Sequence, residues 1–178
     1  DQIEPAATVD DAALLRRLTL DLAGRIPTLA ETRAYVESDR ADKRERLVDR
    51  LLASPDHAFH LRNHLDETLL ASKKNDNEWR AYLLKAVREN RTWDRMFSEM
   101  MIGREDNAQE KPALAFLKAR AASIDDLTVD TSSLFFGVNV SCAKCHDHPL
   151  VEDWKQDHFF GMRSFFSRTY LTKKKTLA

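Results

Sequence analysis

Ser141-Cys142-Ala143-Lys144-Cys145-His146 brings two thiols and an imidazole together within five positions of the chain. Thiols three positions apart lie on one side of a helical turn, and an imidazole follows the second thiol directly. Such thiols can add to the two vinyl groups of a haem, while the histidine ligates the iron from the proximal side. The spacing therefore predicts one covalently attached haem c, with Cys142 and Cys145 as attachment residues and His146 as an iron ligand. Two other chemistries share part of the pattern. A thioredoxin-like dithiol follows a strand in a βαβ setting, which this sequence does not suggest. A structural zinc site could use Cys142, Cys145, His146 and His148, but zinc usually draws its remaining ligands from a second, separated knuckle. The chain has only these two cysteines, so a disulfide-rich scaffold is excluded.

The second axial position of such an iron decides between electron transfer, gas binding and peroxide chemistry, because an occupied position blocks substrate. His57, His60 and His64 fall at i, i+3 and i+7 and share one stripe of a helix. His60, in the middle, is the expected ligand. His158 is the next candidate, and Met96, Met100 and Met101 read better as core. An iron left five-coordinate is the alternative. His148 stands too near His146 to reach the opposite face, and with Asp147 it is expected to buttress the turn before Pro149.

Six of the nine phenylalanines (Phe135, Phe136, Phe159, Phe160, Phe165 and Phe166) flank the motif, with Trp154 and Met162 among them. A flat apolar cofactor needs such a lining, although aromatics at helical spacing also build ordinary cores. The formal net charge of -1 gives no field for nucleic acid or an anionic membrane surface. No apolar run reaches the roughly 18 residues that span a bilayer. Four scattered glycines form neither a G-x-G-x-x-G loop nor a P-loop.

The elements that must position these residues read as helices. Leucine occurs 22 times against 12 for isoleucine and valine together, a ratio that favours helix because β-branched residues lose rotamer freedom there. Asp10 or Asp11 caps a first helix through Leu22 that Gly24 and Pro27 end, and Thr28 with Glu31 forms a capping box for a second. A third runs from Asp42 to before Ser54-Pro55, a fourth from Asp56 to Leu70. Further helices carry Trp79 to Val87 and, from Thr92, Trp93 to Met101. Residues 103–111 read as the longest loop, and Pro112 opens another helix. The next runs from Asp125 to Gly137, and the last from Lys155 to Arg168. Phe136 to Val140 is the nearest approach to a strand, and Lys173 to Lys175 reads as a solvated basic tail. The expected fold is all-α, a single domain over 1–178 of roughly six to nine helices around the haem.

Leu18-Thr19-Leu20-Asp21-Leu22-Ala23-Gly24-Arg25-Ile26-Pro27-Thr28 and Leu47-Val48-Asp49-Arg50-Leu51-Leu52-Ala53-Ser54-Pro55 resemble the opening of a planctomycete-type cytochrome-like domain. Phe135 to Pro149 is similar to that family's haem-motif signature, and Trp154 to Gly161 continues the likeness. The Cys-His-Asp-His-Pro run is the most specific part. The resemblance implies a domain cut from a larger exported bacterial protein, hence an extracytoplasmic (periplasmic or secreted) home, but it supplies no activity. The residues themselves lead to a c-type monohaem electron-transfer module. Its partner would be a redox protein or the adjacent domains of the parent chain, with no nucleic acid and no membrane insertion. A haem enzyme or gas-binding module with an open distal side, and a zinc-binding structural domain, are the alternatives.

Overall fold

A computed structural model describes residues 8–71, 76–147, 150–151 and 154–172. His148, Pro149 and the Lys173–Lys175 tail lie outside the described residues. Among those described, the chain is all-helical, with nine α-helices, two short 3-10 helices and no strand. It divides into two compact units, residues 1–64 and 65–178, and the division falls inside a helix, Pro55–Leu70. No described helix is long and apolar enough to cross a membrane.

The first unit holds α1 (Asp11–Ala23), α2 (Leu29–Val36), α3 (Lys43–Leu52) and the first part of α4 (Pro55–Leu70). Asp10 caps α1 by accepting from the Ala13 amide at 2.7 Å, and Gly24 ends it in the left-handed region at φ 68°. The Thr28–Glu31 capping box forms as its spacing predicts. α1 packs on α2 and α3, burying Leu15, Tyr35, Leu47 and Leu51. Each such side chain contributes about 1.5–3 kcal/mol when fully buried.

The conspicuous Gly24-Arg25-Ile26-Pro27-Thr28 run is a structural corner. Arg25 grips Glu31 through both terminal nitrogens, at 2.9 and 3.0 Å, and reaches Asp56 at the start of α4 through Nε at 2.7 Å. The paired guanidinium holds the Glu31 carboxyl down to about 2.

The second unit contains the rest of α4, then α5 (Asn77–Arg88), α6 (Trp93–Ile102), α7 (Ala115–Lys118), α8 (Ile124–Phe136) and α9 (Gln156–Phe165). Trp79, Leu83, Met100, Leu114, Phe116 and Leu127 form its main core. Arg120 is buried inside that core. It donates to Asp130 at 2.6 Å and to the Leu69 carbonyl at 2.7 Å, and lies 4.0 Å above the Phe116 ring. Polar residues 103–111 form turns, tied by Arg104 on Asp106 and Asn107 on Glu110. Pro112 falls in the first turn of a 3-10 helix, Lys111–Leu114.

Two local expectations shift. The last helix runs only to Phe165, because the Phe166 and Ser167 amides turn to carbonyls three residues back and tighten the end. Phe136 to Val140 forms no strand: Phe136 completes α8, and Gly137 at φ 68° turns the chain out of it.

Candidate functional site

Cys142–Lys144 forms a 3-10 turn, in which the Cys145 and His146 amides both reach the Cys142 carbonyl at 3.3 Å. The turn therefore sorts its residues by position. Cys142, Cys145 and His146 are exposed, whereas Ala143 is buried against Val140 and Phe159 in a small cluster with Val129 and Val138. An alanine is small enough to let the turn sit directly on α9.

The remaining intervening residue anchors the turn by charge. Lys144 Nζ lies 2.7 Å from Asp125 Oδ2, and Arg163 Nε lies 2.6 Å from Asp125 Oδ1. One carboxylate in the first turn of α8 thus ties the cysteine turn to α9. The two cations, Lys144 first, hold the Asp125 carboxyl below the usual carboxylate range, and Asp125 raises Lys144 in return. Asp147 completes the frame, accepting from the Gln156 amide at 2.9 Å and so capping α9.

His146 Nδ1 lies 2.7 Å from the Asp147 carbonyl oxygen. A carbonyl only accepts, so Nδ1 carries the proton and Nε2 keeps its lone pair. That tautomer suits a metal-ligating imidazole, with its other nitrogen fixed by a backbone oxygen.

The other histidines are placed differently. His158 Nδ1 accepts from the Lys155 amide at 3.2 Å, so its neutral ring carries the proton on Nε2, and its task is to cap α9. His57 Nδ1 donates to the Leu22 carbonyl at 2.7 Å, and His60 packs on Gly24, both within the first unit; His64 is exposed. His60 therefore belongs to a different compact unit from Cys142, Cys145 and His146. No cluster of three potential metal-ligating side chains occurs among the described residues.

The phenylalanines divide evenly. Phe159 is fully buried, and Phe135 and Phe166 pack against the main core. Phe136, Phe160 and Phe165 stay exposed, at 55%, 51% and 82%. Spacing along the chain could not have found Asp125 or Arg163, since their partners lie far away in sequence; Asp147 stands in the motif, but its capping role depends on a turn the periodicity does not show.

Among the described residues the protein is thus all-helical, and it presents two cysteines and a histidine on one anchored turn. Residues 1–170 match PSCyt2, described as a protein of unknown function (DUF1549), and the chain belongs to that family. No curated protein and no solved structure matches it.

Proposed function

We propose that this chain is a c-type monohaem domain whose task is electron transfer within a larger exported protein. The observation that supports the reading is the His146–Asp147 contact of 2.7 Å, which engages Nδ1 and leaves the Nε2 lone pair free beside two exposed cysteines on one turn. The residues fit the group chemically: two accessible thiols, one correctly protonated imidazole, and exposed phenylalanines in the same unit.

Cys142 and Cys145 would hold the group through two thioether bonds, an S–H addition that needs no oxidant or reductant, and His146 would face the iron. When bound, the haem iron supplies a one-electron couple. Ala143, wedged against Phe159, and Lys144, paired with Asp125, would keep both sulfurs and His146 on one outward face during attachment. The Asp147 carbonyl would hold the imidazole in orientation.

A haem enzyme or gas-binding module would need an open second axial position, and carbon monoxide tests that directly. Low-spin reduced protein that resists carbon monoxide supports electron transfer; rapid carbon monoxide binding by the unmodified protein would replace that reading with the gas-binding one.

A further inference from the structure

We propose that the cleft between α2 and α3 binds a small organic dianion. Its volume of about 520 Å³ lies in the range of small-molecule sites, and all its lining residues belong to the first unit. Tyr35 and Leu47, both buried members of the core, supply its apolar part. Four cations line it against two acids. Two of the cations are committed: Arg40 chelates Asp42 through Nε and Nη2, and Lys43 bonds Asp11 at 2.7 Å while lying over the Tyr35 ring. Of the acids, Glu31 is already held by Arg25, and Asp49 is the other.

Arg46 and Arg50 remain. They stand one helical turn apart on α3, on the side that faces the cleft, and neither makes an ion pair among the described residues. Like charges at i and i+4 repel within a helix; Asp42, whose carboxyl Arg46 helps to lower, and Asp49 in the cleft offset part of that repulsion. Guanidinium groups bind carboxylate and phosphate through paired, parallel hydrogen bonds. Two of them above an aromatic and an aliphatic surface select a ligand with two anionic charges on a compact apolar body.

The test titrates the full chain, at low ionic strength, with phthalate as the dicarboxylate and phenyl phosphate as the phosphate, following the NMR signals of Tyr35 and Leu47. Saturable shifts with either probe, weakened by at least about ten-fold in Arg46→Gln/Arg50→Gln, are expected. The probe that binds more tightly identifies the oxyanion. Arg33→Gln/Arg44→Gln removes two charges from the same helices outside the cleft and should retain binding. Absence of saturation with both probes, or equal weakening in the two double variants, would overturn the proposal. All four arginines are at least partly exposed, so both variants should fold.

Discussion

Asp125 and Lys144 are joined at 2.7 Å, although nineteen positions separate the first turn of α8 from the cysteine turn. The pair is solvated, so its effect on global stability is small. Its effect on the turn should be larger. In Asp125→Ala, amide exchange at Cys145 and His146 should accelerate while exchange in the main core stays unchanged. The carboxyl is held below its ordinary range, so the tie persists at neutral pH and is lost as pH falls through that depressed value. Unchanged exchange at the turn would show that Ala143 packing alone holds it.

Gly24 and Gly137 offer a controlled comparison, since both sit at φ 68°. A Cβ at Gly137 would meet nothing within 4 Å, whereas at Gly24 it would fall 2.3 Å from His60 Nδ1. Gly137→Ala should therefore cost only the left-handed backbone strain, about 1–2 kcal/mol. Gly24→Ala should cost about 1–3 kcal/mol more, because the His60 ring must move. Equal losses in thermal or denaturant unfolding would contradict the close approach.

Much of the fold could be read along the chain. Asp10, the Thr28–Glu31 box, Gly24 and Gly137 act on neighbours three to five residues away, so their effect is visible as local spacing. Cys142 and Cys145 stand one turn apart in spacing and the chain turns there, but their exposure is not written in that spacing. What could not be read is what distant residues do to one another. Arg163 meets Asp125 across 38 positions, and Arg120 meets the Leu69 carbonyl across 51. No periodicity records such pairs. The division between residues 64 and 65 left no mark either, because it falls within a helix and not in a Gly- or Pro-rich linker. The histidine stripe shows the limit clearly: helical spacing placed His57 and His60 on α4, but not the Leu22 carbonyl and Gly24 that they touch.

In His60→Ala, removing the ring from Gly24 should lower stability by about 1–2 kcal/mol. Unfolding that matches the unmodified protein would show that the ring contributes nothing at that corner.

The Arg25–Glu31 grip sets an acid limb. Glu31 is held at about 2 against an ordinary 4.5, first by the Arg25 hydrogen bonds. A depressed carboxyl stabilises the fold above its unfolded value and loses that contribution as pH falls through the folded one. Arg25→Met should therefore flatten the loss of stability between pH 4.5 and 2 for the first unit. An unchanged acid profile would show that Glu31 contributes nothing through this pair.

Covalent haem at Cys142 and Cys145 is decided by extraction after maturation by an extracytoplasmic cytochrome c assembly system. In acid and organic solvent, the colour should stay with the polypeptide of the unmodified protein, and Cys142→Ser/Cys145→Ser should lose it. Colour that passes wholly into the solvent, or a colourless protein carrying stoichiometric zinc, would contradict the account.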